Sequence, residues 1–198
     1  MSSSSSSPSR DRLFPVFLQL RGRPVLLVGG GFLAGSKLAG LLDVGSRVTV
    51  VAPHIRPELS RPGVLLEQRA FTPEDLDGKW FAVAAATPEV NRQVAAAAEE
   101  RRVFVNAVDD ADSASAYLGG VVRKGGVTLA ISTDGRAPAL AGLLREALES
   151  VLPDELADWM GAAEQLRARW RAEGVPIGQR RPLLLRALDE LYAARGAP

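Results

Sequence analysis

Val25-Leu26-Leu27-Val28-Gly29-Gly30-Gly31-Phe32-Leu33-Ala34 is the stretch from which the rest of the chain is read. An apolar run ends in three glycines, and apolar residues at helical spacing begin at once. In such a turn Gly29 permits the tight exit from a strand, Gly31 lets backbone approach a pyrophosphate, and Ala34 is small enough for close helix–strand packing. The N–H groups of the first helical turn would face the phosphates, and the helix dipole favours negative charge there. A glycine-rich turn that binds nothing has the same spacing, so the surrounding chain must decide between them.

Around this stretch, strands and helices alternate. Pro24 to Val28 is a continuous apolar run, as a strand buried on both faces requires. The following helix carries Leu33, Ala34, Leu38, Leu41 and Leu42 on one stripe, with Gly45 at its C-terminal cap. Arg47 to Ala52 is a second strand, stopped by Pro53. The dinucleotide fingerprint expects an acid after this strand to hold ribose hydroxyls, but the strand ends in Val51-Ala52-Pro53-His54, and Glu58 comes only later. His54 and Arg56 suit either a 2′-phosphate or a solvated loop.

Val64 to Gln68 reads as a third strand, and Thr72-Pro73-Glu74-Asp75 as the start of a short helix. Trp80 to Ala86 is a fourth strand, Pro88 to Arg101 a helix, and Val103 to Val108 a fifth strand running into Asp109-Asp110. The alternation predicts an α/β fold with a parallel, doubly wound sheet. Two apolar runs, Tyr117 to Val122 and Val127 to Ser132, then flank a hairpin-like break. A helix from Pro138 to Pro153 has the stripe Leu140, Leu143, Leu144, Ala147, Leu148 and Val151. Glu155 to Glu173 carries a seam of Leu156, Trp159, Ala163, Leu166 and Trp170, and Arg180 to Arg195 is a last helix.

Composition narrows the function classes. The chain has 198 residues, 46% of them hydrophobic, and a formal charge of +1, which argues against general nucleic-acid or membrane-surface binding. Lysines are confined to positions 37, 79 and 124, so the positive charge is nearly all arginine. With no cysteine and His54 as the single histidine, neither a disulfide framework nor a histidine-rich metal cage is expected. The serine-rich stretch over residues 1–12 lacks the apolar core of a signal peptide and reads as a disordered tail. A soluble, cytoplasmic protein is expected.

In an open parallel sheet, ligands lie beyond the carboxyl ends of the strands. Three stretches gather there: Gly29 to Leu33, Ala84-Ala85-Ala86-Thr87, and Asn106-Ala107-Val108-Asp109-Asp110. Asp109, directly after an apolar strand, can act as a base beside a bound ring or simply solvate a turn. Asn106 can orient a ring or amide, or satisfy backbone groups.

Several ordered blocks carry a family resemblance. Phe14-Pro15-Val16-Phe17-Leu18, then Gly22-Arg23-Pro24 through Gly31, Lys37, and Val48-Thr49-Val50-Val51-Ala52-Pro53 resemble the start of the sirohaem synthase dehydrogenase/ferrochelatase module. Pro88-Glu89-Val90-Asn91, Val105 through Asp110, and Ala130 through Ala141 with Leu144-Arg145-Glu146 continue it in order, covering about residues 13 to 153. The resemblance implies a Rossmann-like sheet over 13–112, a small α+β dimerisation segment over 113–153 and a helical unit over 154–198, in a form without the fused methyltransferase.

It also implies NAD-dependent oxidation of precorrin-2 to sirohydrochlorin and, in some members, ferrous iron insertion. The family's active-site aspartate falls on Asp109. Its cofactor contacts fall on Gly29, Gly30, Gly31, Phe32 and Leu33, with Pro53 and His54 after the second strand; the family likewise lacks the ribose acid. Members are typically homodimers. For a carboxylate-rich tetrapyrrole, Arg123, Lys124 and Arg136 are the candidate rim cations, with Asn106 beside them and no resident metal. The chain departs from the family at Ala84 to Thr87, which lacks acids, at Gly119, where proline is usual, and at Asp134 in the Ser132-Thr133-Asp134-Gly135 turn. Two other readings suit the same residues: a non-catalytic NAD-responsive binding module, and another small NAD(P)-dependent oxidoreductase.

Overall fold

The structure is a computed structural model, and it describes residues 13–196; the serine-rich tail predicted over residues 1–12 lies outside the described residues. The chain divides into two compact units, one ending at Leu118 and one beginning at Gly119.

The first unit is built on five parallel strands: β1 (Pro24–Val28), β2 (Arg47–Val51), β3 (Val64–Glu67), β4 (Phe81–Ala84) and β5 (Phe104–Ala107). Their order across the sheet is β3-β2-β1-β4-β5. The chain steps from β1 outward through β2 to β3, then returns to the other side of β1, so the strand order reverses between β1 and β4. That reversal opens a crevice at the carboxyl ends of these two strands. Alternate residues of the apolar runs supply two cores. Leu27, Val50 and Val83 face helix α1 (Phe32–Asp43) through Ala34 and Leu38, while Leu26, Val51, Ala82 and Ala84 face helix α2 (Pro88–Glu100) through Val94 and Ala98. A central strand covered on both faces must be apolar at every position, which is why β1 shows no polar alternation. The predicted strands and helices of this unit appear within a few residues of their expected ends; the lead-in before β1 takes no regular structure and leaves Phe14 and Phe17 exposed.

The second unit pairs β6 (Gly120–Lys124) antiparallel with β7 (Val127–Ile131) and packs α3 (Pro138–Val151) beside β6. At Gly119 a Cβ would fall onto the Ile131 carbonyl oxygen, so the backbone here leaves no room for a side chain. Helices α4 (Leu156–Ala172) and α5 (Ile177–Gly196) pack together, with Trp159 and Tyr192 edge to face at 6.1 Å. In the single chain the two ends of the α4 seam, Leu156 and Trp170, are buried, and Trp159, Ala163 and Leu166 are half-buried. Helix α5 starts three residues before the predicted Arg180, and neither Gly178 nor Pro182 stops it. Arg180 reaches back with two hydrogen bonds, 2.9 and 3.1 Å, to the Val175 carbonyl and ties the start of the helix. The α3 stripe differs from expectation: only Ala141 is buried, while Leu143 and Val151 are 63% and 71% exposed.

The predicted Thr72 helix start is a single 3-10 turn, Pro73–Leu76. Asp75 accepts from the Thr72 N–H and takes a two-pronged contact from Arg69 at 2.6 and 2.9 Å. The Arg69 hydrogen bonds, helped by the Thr72 N–H, hold the Asp75 carboxyl below its usual range. A carboxyl depressed in the folded state stabilises it fully above the unfolded-state value, about pH 4, and loses that contribution as the pH falls. Urea titrations should therefore show wild type more stable than Asp75→Asn at neutral pH, with the gap closing under acid; a gap independent of pH would show that Asp75 does not act through its charge.

Candidate functional site

The site is the crevice where the strand order reverses. Gly29 leaves β1 at φ +129°, a conformation L side chains rarely adopt, and a Cβ there would fall onto the Ala85 carbonyl oxygen at the end of β4. A Cβ on Gly30 would fall onto the His54 carbonyl oxygen beyond β2. Gly31 is different: nothing lies within 4 Å of the space its Cβ would occupy. Two glycines are thus closed in by neighbouring backbone and the third opens outward. Gly31 is also the N-cap of α1, where no side chain caps the helix and no acid stands in the first turn. Phe32 and Leu33, the first residues of the helix, are exposed. An open glycine before an uncapped helix N-terminus suits a pyrophosphate group, whose oxygens the first-turn N–H groups and the helix dipole would favour. The cradle fits the dinucleotide expected from the sequence.

Beyond β2, Pro53 and His54 are exposed, and the chain is pinned to the glycine turn by the Arg56 N–H donating to the Gly30 carbonyl at 3.0 Å. The Arg56 guanidinium donates to both carboxylate oxygens of Glu58, at 2.9 and 3.3 Å. That hydrogen-bonded pair raises the Arg56 pKa and lowers that of Glu58. The cation expected near a 2′-phosphate is therefore already matched by a carboxylate.

The two aspartates after β5 have different jobs. Asp110 accepts from the Ser113 N–H at 3.2 Å and from its hydroxyl at 2.7 Å, closing a local turn. Asp109 is exposed and, among the described residues, its carboxylate has no hydrogen-bond or ion-pair partner. Its backbone lies at φ +58°, a left-handed conformation that costs about 1–2 kcal/mol for a non-glycine residue and is met mostly in aspartate and asparagine. Asn106 is buried, and its side-chain N–H donates to the Ala116 carbonyl at 2.9 Å, the backbone-satisfying of the two roles open to it.

One residue escaped sequence reasoning. Asn91, in the first turns of α2, is 3% exposed. Its Oδ1 accepts from the Ala86 N–H at 3.0 Å, and its Nδ2 donates to the Val108 carbonyl at 3.3 Å. A buried polar residue on an otherwise apolar helix face was the one available signal.

The three rim cations belong to the second unit. Arg123 is exposed on β6. Lys124 is engaged, donating to the Leu152 carbonyl at 2.7 Å and pairing with Asp154 at 2.6 Å. Arg136 is 69% exposed, held loosely by the Thr133 carbonyl and Asp134, both at 3.4 Å.

Residues 16–120 match the family described as putative NAD(P)-binding. The chain belongs to this NAD(P)-binding family. Residues 124–150 of this family member match the family described as sirohaem biosynthesis protein, central. Siroheme synthase 3 of Aeromonas hydrophila is 42% identical over 172 residues, covering 84% of this chain and 37% of its own length. The siroheme synthase of Citrobacter koseri is 43% identical over 172 residues, covering 84% and 38%. The chain thus spans little more than a third of these relatives. A solved structure titled "SirC, precorrin-2 dehydrogenase" is 26% identical with a TM-score of 0.67, covering 91% of this chain and 92% of that one. The family match agrees with the resemblance carried by the glycine turn and the Asp109 block.

The closed and open glycines predict opposite responses to one added methyl. Gly30→Ala should lower stability by at least about 1–3 kcal/mol, because backbone rather than a flexible side chain blocks the Cβ. Gly31→Ala should leave thermal unfolding close to wild type. Equal effects at the two positions would refute this account of the turn.

Proposed function

We propose that the chain oxidises precorrin-2 to sirohydrochlorin with NAD, with Asp109 as the base. The observation that carries this reading is the juxtaposition at one sheet edge of an open glycine cradle and an aspartate unpartnered among the described residues, in a chain similar over nine-tenths of its length to a structure titled precorrin-2 dehydrogenase. Gly29, Gly30, Gly31, Phe32 and Leu33 would hold the dinucleotide, with Pro53 and His54 beside them. When bound, NAD supplies the hydride acceptor.

Loss of one hydride and one proton from the macrocycle forms the new double bond, and the proton goes to a base. Asp109 suits that role: its carboxylate is free to accept, and the turn presents it beyond the end of β5. Asp110, tied to Ser113, is less free to do so. The same carboxylate could take up pyrrole protons if ferrous iron, as a substrate, enters sirohydrochlorin. Arg123, Lys124 and Arg136 are the candidates for the substrate carboxylates, and the side chains of Arg123 and Arg136 are exposed. The Arg56–Glu58 pair supports NAD over a cofactor bearing a 2′-phosphate.

The working form in this proposal is a homodimer. Leu140, Leu143, Leu144 and Val151 leave an apolar stripe of α3 exposed in the single chain, and a second copy of the same segment is the cover the resemblance implies. Sedimentation should find a dimer, and Leu143→Glu should shift it towards monomer; a wild-type monomer at micromolar concentration would remove this part of the proposal.

The decisive assay mixes pure protein, precorrin-2 and NAD and follows sirohydrochlorin absorbance. Wild type should convert substrate only when NAD is present. Asp109→Asn keeps a residue that tolerates the left-handed turn, and should lower kcat about 100-fold or more while leaving NAD affinity and thermal unfolding near wild type. Full activity of that variant would exclude Asp109 as the base, and no NAD-dependent conversion by wild type would exclude the reaction.

A further inference from the structure

The carboxamide of Asn91 bridges the two loops that form the candidate site. On one side it accepts from the N–H of Ala86. The preceding residue, Ala85, supplies the carbonyl against which Gly29 is closed. On the other side it donates to the carbonyl of Val108, whose peptide bond leads directly into Asp109. The Val108 N–H donates to the Ala84 carbonyl at 2.9 Å, so the peptides on both sides of Val108 are fixed. The orientation of the carboxamide is set by its partners: only oxygen can meet an N–H, and only the NH2 can meet a carbonyl.

We propose that Asn91 is a positioning residue, locking the ends of β4 and β5 together so that Asp109 is held in place relative to the dinucleotide cradle. The φ angle of Asp109 is a rotation relative to the Val108–Asp109 peptide plane. Holding the Val108 carbonyl fixes that plane and keeps Asp109 in its left-handed conformation. A residue serving α2 packing alone would be apolar, like Val94 and Ala98 on the same helix. The spacing of one donor and one acceptor on a single short planar group matches the distance between the two loop ends, and a side chain with only one of these groups can hold only one loop.

This inference rests on the proposed role of Asp109, so its test includes a measurement that does not need turnover. Asn91→Asp keeps an acceptor for Ala86 but sets a carboxylate oxygen against the Val108 carbonyl. At a pH where that carboxylate is ionised, amide exchange over residues 105–112 should quicken about tenfold or more, with exchange in β1 and β2 unchanged. NAD affinity should stay within about threefold of wild type, while kcat on precorrin-2 falls about tenfold or more and KM changes little. Acidification, which protonates the new carboxyl and restores a donor, should return part of the kcat relative to wild type.

Unchanged exchange over 105–112, or exchange quickened evenly across the sheet with affinity and kcat falling together, would overturn the proposal. Should Asn91→Asp not fold, Asn91→Ser, whose hydroxyl can reach one partner only, takes its place, and the same changes in exchange, affinity and kcat support or overturn the proposal. If wild type does not turn over precorrin-2, the reaction is wrong, and exchange at 105–112 still decides whether Asn91 holds the Asp109 turn.

Discussion

Backbone against backbone at Gly29 and Gly30 is the contact on which the rest of the site depends. With the first glycine closed against Ala85 and the second against His54, the exit of β1 is held by the ends of both neighbouring strands. No side chain takes part, so the turn's position follows from the sheet itself. Strand register carries that position across the sheet: Val28 lies opposite Val51 on one side and Ala84 on the other, and Ala84 lies opposite Ala107. Asp109 therefore stands two residues beyond a point fixed by the same ladder that places the glycines. Cofactor cradle and candidate base share one reference frame, and Asn91 adds a cross-link where the ladder ends.

Much of this architecture is legible in the sequence because its causes are local. The runs Val25 to Val28 and Phe81 to Ala84 are apolar without alternation, and only strands covered on both faces need that. The glycine turn and the Thr72 turn announce themselves through residues whose backbone or capping preferences are strong. What stays hidden depends on partners distant in sequence. Asn91 sits in a helix start that reads only as one block of a family pattern; its second partner is 17 residues away, and nothing in the local spacing points to it. The sequence singles out Asp109, but the contacts of Asp110 with Ser113, which set the two apart physically, appear only in the fold. Lys124 has the look of a free cation until Leu152 and Asp154 are placed beside it.

The second unit teaches the converse. Its α3 stripe is as regular as that of α1, yet Ala34, Leu38 and Leu41 are buried whereas Leu143 and Val151 face solvent. Helical periodicity states that a face will be covered and is silent about what covers it. In α5, the helix starts three residues before the predicted Arg180 for a different reason. Breaker residues forecast a stop from intrinsic preference, and contacts such as that of Arg180 with Val175 outweigh preference when they tie the helix start in place.

The Arg56–Glu58 pair bears on how a ligand arrives as well as on which ligand stays. Bonded to its neighbour, the guanidinium presents a dipole rather than a net charge, and at physiological salt even a bare charge is largely screened beyond about 8 Å. This flank of the glycine turn therefore exerts little pull on an approaching anion. Any anion held there, as proposed, would draw on the short-range field of aligned amide groups. If the proposed cradle binds an anion, the Arg56–Glu58 pair would add little ionic-strength dependence to that encounter.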